Sequence, residues 1–211
     1  MLETCRKRVQ VRRNLLAGLA LFAVAATAPG LLHAQALPSG GSPDGVQAAV
    51  SFSLGDANLT STNPFSFLLA GVGAEVYAPV YRSIGAAGSF TLLETSNSGQ
   101  GVPLHLIAFT GGPRYTLRTG LLNGRVRLYG QGLVGGVEGF NGLFPKAGGA
   151  TTGASSIAFQ TGGGIDIAFT HRTSIRLVQA EWLRTGLPDA TQNVENTLLL
   201  GFGVVYHFTA Q

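Results

Sequence analysis

Four histidines, His33, His105, His171 and His207, are the residues around which acid–base or nucleophilic chemistry would have to be built. Such chemistry needs a base within hydrogen-bond reach of a nucleophile and a third group to orient it. His33 lies in the apolar N-terminal segment, His171 in a short connection and His207 near the end of the last alternating segment. Only His105 stands beside a longer connection, and no paired serine and acid can be placed around it, so it reads as a polar rim residue. The three later histidines are widely spaced and the single cysteine is Cys5, so no metal-ligand set is expected. The glycine patterns Gly71–Val76 (GVGAEV) and Thr161–Asp166 (TGGGID) are not followed by a helix that could present backbone donors to a phosphate. No catalytic residue, cofactor or metal is therefore expected. What remains is a set of charges recurring within apolar segments: Glu75, Arg127, Asp166, Arg176 and Glu181, together with Gln131, Gln160 and Gln179. On one inner face they would pair with one another.

The first residues do not belong to that arrangement. Arg6, Lys7, Arg8, Arg12 and Arg13 precede an apolar run from Leu15 to Leu32, interrupted by Pro29 and Gly30 and followed by Ala34-Gln35-Ala36. This is the pattern of a cleavable export signal, expected over residues 1–36. Cys5 lies ahead of the apolar run, where it cannot serve as a lipoprotein anchor. Residues 1–36 hold five of the 14 basic and one of the 10 acidic residues, leaving nine of each. The basic pI therefore belongs largely to the signal, the exported chain is neutral, and neither a basic patch nor a nucleic-acid partner is expected.

Beyond a short segment, 37–44, no stretch is apolar and long enough for a spanning helix, and 31 glycines argue against long helices. Period-two alternation fits better. In Gly45–Leu54, Val46, Ala48, Val50, Phe52 and Leu54 share one face, with Gln47, Ala49, Ser51 and Ser53 on the other. Similar segments follow at Leu69–Ala78, Ile84–Leu93, Leu104–Leu117, Arg125–Val137, Ile157–Phe169, Ser174–Arg184 and Thr197–Phe208. The fourth is the least regular, with Ile107, Phe109 and Tyr115 assigned outward and Thr110 and Arg114 inward. In the fifth, Val126, Leu128 and Val134 are assigned outward.

Strict alternation in Ser174–Arg184 would carry Gln179 and Glu181 to the face of Ile175 and Leu177. A β-bulge near Leu177 and Val178 would return Arg176, Gln179 and Glu181 to the interior and leave Val178, Ala180 and Trp182 outside. Connections 79–83, 118–124 and 170–173 are short, whereas 55–68, 94–103, 138–156 and 185–196 are longer. An all-β, eight-stranded antiparallel barrel over 45–208, apolar outside and polar inside, accounts for this rhythm, and residues 209–211 form a tail.

The final segment, TLLLGFGVVYHF, with Gly203, Tyr206 and Phe208, resembles the C-terminal sorting signal of bacterial outer-membrane β-barrels, although three residues follow Phe208. With the eight alternating segments and the stretches Gly111–Arg118 (GGPRYTLR) and Ile175–Gly186 (IRLVQAEWLRTG), the chain resembles the small outer-membrane barrels of the opacity-protein and OmpA/OmpX-like kind. The resemblance implies a Gram-negative outer-membrane location, lipid as surroundings, the barrel-assembly machinery as a partner during biogenesis, and long loops facing outward. No peptidoglycan-binding domain of the two-domain OmpA type is seen before Gln211.

The leading expectation is a non-enzymatic structural or surface-interaction protein with an unknown surface partner. The alternatives are a narrow pore for ions or very small solutes, a rim enzyme acting on lipid, and a periplasmic ligand-binding barrel, which would need the opposite polarity of faces. The luminal glycines Gly73, Gly162, Gly164, Gly201 and Gly203 would leave water-filled gaps in a pore. The loops carry Phe65, Phe67, Phe140 and Phe144, which would contact a partner or fold back over the barrel mouth.

Overall fold

Gly-rich alternating segments cannot bury an apolar face as isolated ribbons, and in this chain they close on themselves. The computed structural model describes residues 45–57, 67–95, 104–146, 149–188 and 194–208. The expected export signal at 1–36, segment 37–44, Phe65 and the tail 209–211 lie outside the described residues, as does the side chain of Phe67. The strands are β1 (Gln47–Ala57), β2 (Phe67–Tyr81), β3 (Ile84–Thr95), β4 (Leu104–Arg118), β5 (Val126–Lys146), β6 (Gly149–Ala168), β7 (Thr173–Thr185) and β8 (Glu195–His207). Each pairs antiparallel with its sequence neighbour, and β1 pairs with β8, closing an eight-stranded barrel. Closure leaves no edge along the wall, as a strand-built membrane span requires.

The outer face is a continuous apolar band. Val50, Phe52, Val72, Phe109, Val134, Phe159, Ile175, Trp182, Leu200, Phe202 and Val204 are all exposed on it. At the short-turn end Tyr81, Tyr115, Phe169, Tyr206 and Phe208 form an exposed aromatic girdle, in which the Tyr206 and Phe208 rings meet edge-on at 4.9 Å. Such a girdle marks a membrane–water interface. Tyr77, close to them in sequence position, turns inward and is buried. Ile107, half-buried, and exposed Phe109 and Tyr115 face out, with Thr110 and Arg114 buried inside. Val126 departs from its outward assignment: it is only 7% exposed, at the entry of β5, unlike Leu128 and Val134 farther along.

The β7 bulge lies where the charges demand it. Arg176 pairs with Asp166 and Val178 with Ile165, so Leu177 is the extra residue against β6. Across the other edge, Arg176 faces Gly203 and Gln179 faces Gly201. Arg176, Gln179 and Glu181 are buried, while Leu177, Val178 and Trp182 are exposed.

One connection departs from its expected form. Residues 138–156, rich in Gly, Asn and Pro, do not form an open loop but continue β5 and β6 as a two-stranded hairpin, with pairs running to Lys146↔Gly149. The ladder to β4 ends at His105↔Phe140, and the ladder to β7 ends at Ala158↔Thr185. The hairpin therefore projects past both neighbouring strands. It bends where Phe140 pairs with Gly153 and Phe144 with Thr151, leaving three β5 residues against one on β6, and Asn141 adopts a left-handed φ of 61°.

Candidate functional site

The lumen is filled in two tiers. In the tier nearer the short turns, Glu75 of β2 binds two cations: its Oε1 accepts from Arg114 Nη1 of β4 at 2.5 Å and from Arg176 Nη1 of β7 at 3.1 Å. Asp166 of β6 receives Arg176 through Nε at 2.9 Å and Nη2 at 3.3 Å, and lies 4.0 Å from Arg114. Two carboxylates and two guanidiniums thus alternate across the barrel. The Tyr129 ring lies against both cations, its centroid 3.7 Å from the Arg114 guanidinium carbon and 4.4 Å from that of Arg176. At such distances the ring attracts each cation.

A chain of amides extends this cluster to the opposite wall. Gln131 Nε2 donates at 2.8 Å to both Glu75 and Glu181, and Gln160 Nε2 donates to the other Glu181 oxygen at 2.7 Å. Thr110 closes the chain by donating to Gln160 Oε1 at 2.7 Å. Both Glu181 oxygens are therefore met by side-chain amides, whereas Glu75 and Asp166 are met by arginines. The glycines serve this packing: a Cβ at Gly164 would lie 2.8 Å from the Tyr129 ring edge and hydroxyl, and one at Gly162 would lie 2.7 Å from Glu181 Cα. At both positions an added side chain would meet neighbouring protein atoms, so glycine is what lets the ring and the carboxylate side chain pack there.

Arg127 does not join the four-charge cluster; Arg114 stands there instead. Arg127 is half-buried beside His207, with Nη1 3.3 Å from Nδ1. His207 Nε2 is also 2.7 Å from Ser174 Oγ. This serine–histidine pair was not legible in a sequence in which the two residues are 33 positions apart. Its environment opposes nucleophilic chemistry, because Ser174 is 0% exposed and offers no room for a reacting group.

The tier nearer the long loops is mainly apolar, with Thr95, Thr185 and Thr197 also buried at that end, where a small or polar inner face was expected. Leu69, Leu93, Leu104, Leu106, Val137, Leu183, Leu187 and Leu199 form one buried cluster, with Ala57, Ala108 and Ala158 filling between them. Phe144 of the projecting hairpin, 5% exposed, belongs to the same cluster and covers the mouth. It is therefore not an exposed loop aromatic. Phe140 is half-buried and stacks on His105 with centroids 5.4 Å apart and planes 8° apart. His105 Nδ1 is 3.6 Å from Glu94 Oε1 at this rim. Among the described residues there is no cluster of His, Cys, Asp and Glu suited to a metal.

No protein-family model matches this chain, and no curated protein matches it in sequence. Solved structures do. Neisserial surface protein A is similar at a TM-score of 0.61 and 14% identity, over 77% of this chain and 97% of that one. Ail, the attachment invasion locus protein of Yersinia pestis, is similar at a TM-score of 0.50 and 17% identity, over 78% of this chain and 99% of that one. Closure after eight antiparallel strands, an apolar outer band and these structural likenesses give one conclusion: by fold, the chain is a small transmembrane β-barrel of the outer-membrane type.

Proposed function

We propose that this barrel is a non-enzymatic outer-membrane protein that acts through its long-loop end. A lumen filled from the arginine–carboxylate cluster to Phe144 carries this reading, because it leaves interaction at the surface in place of transport. In this reading the short turns face the periplasm and the long connections face outward, the arrangement usual for bacterial outer-membrane barrels.

The projecting hairpin is the favoured interaction element. Residues 149–156 of β6 lie beyond the ladder to β7 and beyond the Gly186 N–H donated to the Ile157 carbonyl, and are all small or polar. At about 3.3 Å per residue they offer roughly 25 Å of strand edge, which a partner could extend by strand addition. The names of the two similar structures, a surface protein and an attachment invasion protein, agree with a surface role, although one fold serves many functions. Gly203, Tyr206 and Phe208 lie at the end of the barrel wall, where they would be read by the assembly machinery.

Single-channel recording of the reconstituted protein tests the reading. Membranes bearing it should show no steady conductance above the lipid background. A steady ohmic conductance altered by Glu75→Ala or Arg127→Ala would replace this reading with the narrow pore.

A further inference from the structure

The neutral exported chain hides a separation of charge. Each of the three short turns of the barrel presents an exposed arginine: Arg82 between β2 and β3, Arg125 before β5, and Arg172 between β6 and β7. Arg118, at the end of β4, is exposed beside them. Among the described residues no Asp or Glu lies in these turns, although Asp44 precedes β1 in the sequence. The exposed acids Glu94 and Glu138 are at the other end of the barrel. The expectation of no basic patch therefore fails, because arginines dispersed in sequence are gathered by the hairpin topology.

Two features identify what such a rim fits. First, its cations are interleaved with apolar groups. Leu121 and Leu122, 64% and 62% exposed, form the tip of the β4–β5 turn between Arg118 and Arg125. Exposed Tyr81 adjoins Arg82, whose guanidinium lies 5.2 Å from the ring centroid, and exposed Phe169 lies in the same turn as Arg172. Exposed aromatic rings beside the cations suit the boundary between acyl chains and headgroups, whereas a soluble acidic partner would not need the rings. Second, Arg82 has a φ of 48° and Leu122 a φ of 49°, in the left-handed region where Gly or Asn is less strained. Both turns therefore hold a cation or an apolar tip despite a backbone that favours neither.

We propose that the short-turn rim is a binding surface for anionic glycerophospholipid headgroups, with Arg82, Arg125 and Arg172 taking the phosphate and the aromatic girdle taking the acyl boundary. This rests on the membrane placement above and not on the surface role. A ring of this kind would fix the depth and tilt of the barrel in the inner leaflet, and would make its lipid neighbours predominantly anionic.

Native mass spectrometry of the protein extracted in mild detergent, titrated with phosphatidylglycerol or phosphatidylcholine of matched acyl chains, tests the proposal. Phosphatidylglycerol should bind more tightly, by about five-fold for each arginine engaged, and raised salt should erase the difference. The variant R82Q/R125Q/R172Q should lose the preference, while R82K/R125K/R172K and the opposite-rim variant R184Q should keep it. Equal binding of the two lipids by the native protein would overturn the proposal, as would a preference that the triple Gln variant retains. Loss of peptidoglycan co-sedimentation in the triple Gln variant, with its lipid preference unchanged, would assign the rim to the cell wall instead. Heat-modifiable migration of every variant on SDS gels distinguishes a lost barrel from a lost lipid site. If the triple Gln variant does not fold, R125Q alone should still lower the preference, and no change in it would count against the rim.

Discussion

Glu75 is the acceptor shared by two buried guanidiniums, so its loss should be felt more than that of any exposed acid. Removing one partner of a buried ion pair leaves an uncompensated charge and costs about 3–5 kcal/mol. Glu75→Ala should therefore lower the denaturant midpoint of the folded barrel strongly, whereas Glu94→Ala, at the exposed rim, should change it by less than about 1 kcal/mol. Equal effects in urea titrations followed by gel shift would show that the cluster does not stabilise the lumen. Gly164→Val should be nearly as harmful, by about 1–3 kcal/mol, because its side chain would enter the space of the Tyr129 ring. Tyr129→Ala in the same background should recover part of that loss. The inward placement of these charges was legible, since each alternates with apolar residues. The identity of the central cation was not: Arg114 lies in the irregular run GGPRYT, and Arg127 lies at the strand entry, where the bond to His207 depends on pairing between distant segments.

Among the strands, β7 shows how a local count controls which face a residue reaches. Deleting Leu177 removes the residue that interrupts alternation, leaving Ile175 out, Arg176 in, Val178 out and Gln179 in. That variant should fold and keep its heat-dependent gel shift. Deleting both Leu177 and Val178 should abolish the shift, because Gln179 and Glu181 would then face lipid. Had the bulge no such role, both deletions would behave alike. The bulge was legible because Glu181 on the lipid face is unfavourable. The β5–β6 hairpin was not, because Asn141, Gly142 and Pro145 are also turn formers, and only pairing with Gly149–Gly153 makes their segment a strand. Phe144→Ala should uncover the apolar tier, destabilising the barrel by about 3–5 kcal/mol in the same urea titrations. An unchanged midpoint would place Phe144 off the mouth.

Taken as one body, the barrel reverses the polarity of a soluble domain on its wall and partly restores it inside: lipid-facing aliphatics, a charged belt across the lumen, and a leucine cluster under the hairpin. Alternation that puts Leu198 and Leu200 on the wall also turns Leu199 inward, but its gathering with Leu69, Leu93 and Leu183 into one cluster depends on pairing between distant strands. An apolar exterior of this extent is tolerable only in lipid, which makes heat-modifiable migration the most direct test of the account. Membrane fractions run on SDS gels with and without boiling should show the protein in the membrane, migrating at two positions, the folded barrel converting to the unfolded form on heating. A single position under both conditions, with the protein recovered soluble from the periplasm, would contradict the lipid-facing wall on which the whole account depends.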